Sequence, residues 1–132
     1  MKFTVYMEPV AKARARTVIR KGKIHSFTPR ETELAEWKIQ QAIPQNCLAL
    51  SQYTPVKLQV AAYLPRPKSL LKKRTAPVTR PDFDNYAKLI ADALSEFVYY
   101  DDAQITTAII RKRYGTPPRI EIDVTEDDLS ET

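Results

Sequence analysis

The 132-residue chain holds one cysteine, one histidine, one tryptophan and two glycines. A single thiol, Cys47, excludes an internal disulfide and any zinc site built on cysteines, and reads as a small buried side chain. A single imidazole, His25, leaves one candidate for histidine-activated chemistry, and its basic surroundings mark it as a surface residue. Two glycines against ten prolines imply few left-handed turns and stiff connections. No apolar run approaches the ~20 residues of a helical membrane span, and the N-terminus has no apolar signal segment. The expected compartment is a reducing cytoplasm. No period recurs, which excludes repeat, coiled-coil and collagen-like architectures. What remains is the make-up of one ordinary globular domain, with 43% hydrophobic and 28% charged residues.

Acidic residues are absent where basic ones crowd. From Trp37 to Pro81 there is no Asp or Glu, against eight Lys and Arg. The first thirty residues carry eight basic groups and one acid, Glu8. The net charge of +5 includes four negatives from Glu126 onward, so the rest of the chain carries +9. Segregation of this kind is the footprint of a polyanion binder. The plainer reading is a basic protein kept soluble by its charge.

The pattern predicts an α+β single domain: a mixed sheet of about four strands with two main helices. Strands are expected at Lys2–Met7, Lys57–Leu64, Gln104–Lys112 and Arg119–Val124, with a hairpin over Val18–Phe27 turning at Lys21-Gly22. Thr28, Pro29 and Glu31 supply an N-cap, a first-turn proline and a capping box for a helix to about Ala42. That helix is expected to bury Leu34, Ala35, Ile39 and Ala42, leaving Trp37 to packing or a dimer contact. A second helix is expected near 84–97, with Tyr86, Leu89, Ile90, Ala93 and Phe97 on its apolar stripe. Between them, residues 65–81 form a Pro-rich basic loop, long enough to suggest function. The domain is expected to span 1–125, with 126–132 an acidic, disordered tail.

Chemistry concentrates in Pro81-Asp82-Phe83-Asp84-Asn85-Tyr86-Ala87-Lys88, with Asp92 and then Asp101-Asp102 beyond. Asp82 and Asp84 lie two apart in an extended segment and share a side. Lys88 and Asp92 follow Asp84 at four-residue spacing on one helix face. Two accounts compete. In the structural one, Asp84 is an N-cap worth about 1 kcal/mol, Lys88–Asp92 is an exposed pair worth roughly 0.3–0.5 kcal/mol, and Asp101-Asp102 is a turn. In the functional one, clustered carboxylates need a cation, and oxygen donors select Mg2+, with Mn2+ as the alternative. Such a site beside a polyphosphate suits phosphodiester hydrolysis. Capping accounts for Asp84 but not for Asp82 and Asp102. Tyr99 and Tyr100 are either ordinary strand residues or a stacking surface for an unpaired base.

Pro-Asp-Phe-Asp-Asn-x-x-Lys, then Asp-Ala-Leu, then Tyr-Tyr-Asp-Asp-Ala-Gln-Ile resembles the signature of RusA-type Holliday junction resolvases. Pro9-Val10-Ala11-Lys12-Ala13-Arg14-Ala15-Arg16 is similar to that family's opening motif, and the likeness runs over roughly residues 5–125. Ala13 and Ala15 stand where the family often has Gly and Pro, and Glu96-Phe97 replaces a commoner Gly-containing turn. The resemblance implies a homodimeric, Mg2+-dependent endonuclease that cuts four-way DNA junctions by paired symmetric nicks. It places metal ligands at Asp82, Asp84 and one of Asp101 and Asp102, Asp102 matching better, and an important lysine at Lys88. Lys12, Arg14, Arg16, Lys72, Lys73 and Arg74 would then hold the DNA backbone, and Asn85 would orient an Asp or touch phosphate. A non-catalytic architectural DNA-binding protein and a nuclease of broader branched or flap specificity are the alternatives.

Overall fold

The computed structural model describes residues 1–10, 16–27, 30–45, 50–69 and 75–130; within 16–27 it describes the backbone and the side chains of 19 and 21–23. The elements run β1 (Lys2–Val5), β2 (Arg16–Arg20), β3 (Lys23–Phe27), α1 (Arg30–Ala42), β4 (Val56–Leu64), α2 (Phe83–Leu94), β5 (Ile105–Tyr114) and β6 (Arg119–Glu126). This is the expected α+β domain. A four-stranded mixed sheet has the order β1-β6-β4-β5, and β2-β3 form a separate hairpin. Lys21 (φ 51°) and Gly22 (φ 73°) turn that hairpin with both central residues left-handed, the backbone that matches the twist of its strands. The expected cap at Thr28-Pro29, like Cys47, lies outside the described residues. No helix among them is long and apolar enough to cross a membrane.

Alternation builds the core. On β4, Val56, Leu58, Val60 and Ala62 are buried. The antiparallel register sets Leu58 opposite Val124, Val60 opposite Ile122 and Ala62 opposite Ile120, so one face of the sheet is continuously apolar. Ala35 and Ile39 of α1 join Leu89, Ile90, Ala93 and Leu94 of α2 in the same cluster. The helices pack on each other, α1 also reaching β1 and α2 reaching β4 and β5. Leu34 is exposed rather than buried, because Thr32, Ala35 and Ile39 take the inward stripe of α1. Trp37 also stands exposed, outside the core. β1 stops at Val5, leaving Tyr6 in solvent.

α2 ends three residues before the expected boundary. Glu96 adopts φ 70°, the left-handed conformation that favours glycine. There the chain reverses, with Glu96 N–H donating to Tyr99 O at 2.7 Å and Val98 N–H to Leu94 O at 2.9 Å. The reversal points Phe97 outward and seats Val98 and Tyr99 in the core. Tyr99 Oη donates to Ala91 O at 2.6 Å, and burial is the first cause that raises its pKa. Tyr99 is therefore a core residue and leaves no ring for a base; Tyr100 is exposed.

The acidic tail also departs from the frayed segment expected, as far as Ser130. Asp127 is buried and accepts hydrogen bonds from the hydroxyls of Thr106 (2.6 Å) and Thr107 (2.7 Å) and from Leu129 N–H (3.0 Å). These bonds, Thr106 first, hold its carboxyl below the ordinary range. The stabilisation is complete above that range and fades as pH falls through the lowered value. Asp127→Ala is expected to lower the Tm by several degrees at neutral pH, with the gap to wild type closing in acid. Equal Tm values at pH 7 would show that the tail contributes nothing.

Candidate functional site around helix α2

α2 and β5 meet where β4 and β5 run parallel, Leu64 beside Tyr114 at their carboxyl ends. Ligand sites in α/β sheets commonly open at that end of the strands. The chain returns there to start α2, and its first residues bring the two carboxylates. Asp82 is the N-cap residue, with extended backbone (φ −70°, ψ 156°) and no side-chain capping bond. Asp84 lies inside the first turn, not at the cap where the sequence suggested it. Both side chains are exposed. The Arg80 guanidinium stands 3.9 Å from Asp82. Beneath the pair opens a hollow of about 490 Å3 lined by Thr79, Arg80, Asp82, Phe83, Asp84 and Lys112.

Lys112 escaped the sequence reading. It lies opposite Ala62 as Ile110 lies opposite Val60, so it continues the helix-facing row of β5. A lysine in an apolar row was the available signal. Its ammonium donates to Thr79 O at 2.7 Å and Pro81 O at 2.8 Å. The residues just ahead of Asp82 are thereby fastened to the sheet.

The second group of carboxylates gathers around Lys88. Its ammonium lies 3.2 Å from Asp92 and 3.3 Å from Asp102, bridging the helix to the 3-10 turn Asp102–Gln104. Hydrogen bonds to Asp92 and then Asp102 raise the Lys88 pKa. The Asp102 carboxyl is held below its ordinary range, first by a hydrogen bond with the Asp101 side chain and then by Lys88.

The expected metal set is thus split. Asp82 and Asp84 open α2, whereas Asp102, with Asp101 adjoining, meets the helix at Lys88, ~6 Å further along its axis at 1.5 Å per residue. Among the described residues, no group of three or more Asp, Glu, His or Cys side chains is placed to hold a metal ion. The donor type nevertheless suits a hard divalent cation: carboxylates, of which Asp82 makes no cap bond and Asp84 is exposed. Of the expected DNA contacts, Lys12, Arg14, Lys72, Lys73 and Arg74 lie outside the described residues. Arg16 opens β2, its side chain likewise outside them. Arg80 is the exposed cation that the structure adds beside the pair.

Comparison with known proteins gives this arrangement its context. The model of the family described as Endodeoxyribonuclease RusA matches residues 7–125. The chain belongs to the RusA endodeoxyribonuclease family. The match includes α2, β5 and Asp82, Asp84, Asp92, Asp101 and Asp102. A Lactococcus phage r1t protein named crossover junction endodeoxyribonuclease rusA is 32% identical over 111 residues, covering 80% of this chain and 81% of that one. A Bacillus subtilis (strain 168) protein, uncharacterized protein YqaN, is 37% identical over 136 residues, covering 96% of both chains.

For a RusA-family nuclease, loosening the segment before Asp82 has a direct consequence. Lys112→Met is expected to slow cleavage by about 10²-fold, the effect of a small misplacement of a reacting group, and to leave DNA affinity nearly unchanged. Lys112→Arg should recover part of the rate. Unchanged single-turnover rates in the Met variant would show that the two carbonyl contacts do not position the carboxylates.

Proposed function

We propose that this RusA-family endodeoxyribonuclease resolves four-way DNA junctions in recombination and repair, acting as a homodimer with Mg2+ as cofactor. The observation that supports this most is the Asp82–Asp84 pair: exposed, making no cap at Asp82, and opening on a hollow edged by Arg80 and Lys112. A purely structural role leaves Asp82 only a long, exposed ion pair with Arg80 and the helix dipole. The crossover-junction name of the phage relative, on a match that covers most of both chains, supports the branched substrate.

Asp102, with Asp101 adjoining, stands apart on Lys88, while Asp82 and Asp84 would hold the divalent ion. Bound there, the cation would polarise the scissile phosphate and help form the attacking hydroxide. The residues of the chain supply the rest. Arg80 meets the phosphate's negative charge at the edge of the hollow. Lys88, shared between two carboxylates and partly exposed, can turn one of its three donors toward the oxygen on which charge develops. Hydrolysis forms one P–O bond from water and breaks the ester P–O bond, the leaving oxygen taking up a proton. Contacts from the basic segments to phosphates fix register without reading sequence.

Cleavage of a synthetic four-way junction, compared with linear duplex and a 5′ flap, tests the proposal. Mg2+-dependent nicking of the junction in preference to both controls, abolished by EDTA, is the expected result. Binding without nicking would favour the architectural reading, and equal cutting of flap and junction a broader nuclease.

A further inference from the structure

We infer that Tyr53 and Tyr100 form a binding site for one unstacked nucleobase at the branch point, beside the Asp101-Asp102 turn. The inference rests on the junction reading above. Both rings stand in solvent, Tyr53 at 86% exposure and Tyr100 at 61%, although Tyr99, next to Tyr100, is only 1% exposed. Both line a single hollow of about 400 Å3, together with Gln52, Thr54, Pro55 and Asp101. The hollow therefore adjoins the Asp101-Asp102 turn.

The two segments that carry the rings are locked together. Gln104 uses its whole side-chain amide for this. Its Nε2 donates to Ser51 O at 2.8 Å and Thr54 O at 3.0 Å, on either side of Tyr53. Its Oε1 accepts from Tyr100 N–H at 2.8 Å and Asp101 N–H at 3.1 Å. Within the turn, Tyr53 N–H donates to Ser51 Oγ at 3.3 Å. The rings thus project from a fixed frame rather than from independent loops, so little conformational freedom is lost when a ligand enters.

The chemistry of the lining selects the occupant. Two phenol rings and a proline offer flat apolar surface, while Gln52, Thr54 and Asp101 offer donors and acceptors at the margin. A flat group with an apolar face and a hydrogen-bonding edge meets both, and a nucleobase is such a group. Paired bases in duplex arms keep both faces stacked and cannot enter. Bases at a branch point have neighbours to lose on one side, so this site favours the junction over its arms, which phosphate contacts alone do not.

The test uses the full-length protein in EDTA and a four-way junction with 5-iodouracil at the branch point. Irradiation is expected to cross-link the base to Tyr53 or Tyr100, and not when the iodouracil lies within an arm. Tyr53→Ala/Tyr100→Ala should weaken junction affinity about ten-fold, with duplex affinity changed less than about two-fold, and Tyr53→Phe/Tyr100→Phe should restore it. Cross-links mapping elsewhere, or equal loss on junction and duplex, would overturn the inference. So would a changed oligomeric state in the Ala variant, which would make the patch a contact between copies. In each case a wild-type protein that still nicks junctions leaves the proposed function standing, whereas failure of that nicking removes the function itself.

Discussion

Asp84→Asn is expected to abolish cleavage while junction binding persists or tightens. The carboxylate sits in the first turn of α2, exposed, on the rim of the hollow that also holds Asp82 and Arg80. As a cation ligand its loss removes several kcal/mol of transition-state stabilisation, about 10³-fold in rate. As a first-turn acid it contributes only about 0.3–1 kcal/mol through the helix dipole, so the Tm should scarcely move. Removing a negative charge that faces phosphates favours binding. Asp82→Asn should behave alike, because Asp82 makes no capping bond to lose. Single-turnover cleavage, gel-shift affinity and thermal unfolding on one preparation separate these effects. Rapid cleavage by either variant would remove the pair from the site.

Junction affinity is expected to fall about 10³–10⁵-fold between 50 and 200 mM salt, the response for six to ten phosphate contacts. The charge distribution motivates that number of contacts: +9 outside the acidic tail, and eight basic residues without an acid from 37 to 81. If Lys72 and Arg74 contact phosphates, alanine at either should make the log–log slope shallower by about one. Arg80, exposed beside Asp82, is a further candidate on the same criterion. A dissociation constant flat across the titration would contradict phosphate-dominated binding.

Local signals were legible and distant ones were not. Period-two alternation placed β4 and β6, and the two-residue turn placed the hairpin, because each depends on neighbours in sequence. The N-cap of α2 lies two residues earlier than expected because Asp82 and Asp84 are equally good N-cap residues. Its end is off because Phe97 continues the apolar spacing, while the deciding residue, Glu96, takes a left-handed backbone that no side-chain pattern reveals. Asp127 looked like a tail charge because its partners, Thr106 and Thr107, are about twenty residues away. Among the site residues, the Lys88–Asp92 pair followed from four-residue spacing. The meeting of Lys88 with Asp102, fourteen residues apart, lies beyond the reach of helical spacing. Lys112 and Gln104 act through backbone carbonyls and amides far along the chain; Lys112 is marked only as a lysine in an apolar row, and Gln104 not at all.

Paired cutting is the central claim, and it requires two sites related by the symmetry of the junction. One chain offers one Asp82–Asp84 pair, and the proposed two-fold dimer would repeat it across an axis coincident with the junction's own. A supercoiled plasmid that extrudes a cruciform reports this directly. Two nicks within one binding event convert it to linear DNA, whereas a first nick followed by dissociation relaxes the supercoil, reabsorbs the cruciform and leaves a nicked circle. The account predicts linear product from the earliest times, with Mg2+ required and little nicked circle accumulating. Mixed dimers of wild-type and Asp84→Asn chains should shift the product to nicked circle. Nicked circle as the main product of the wild-type protein would contradict resolution by paired nicks.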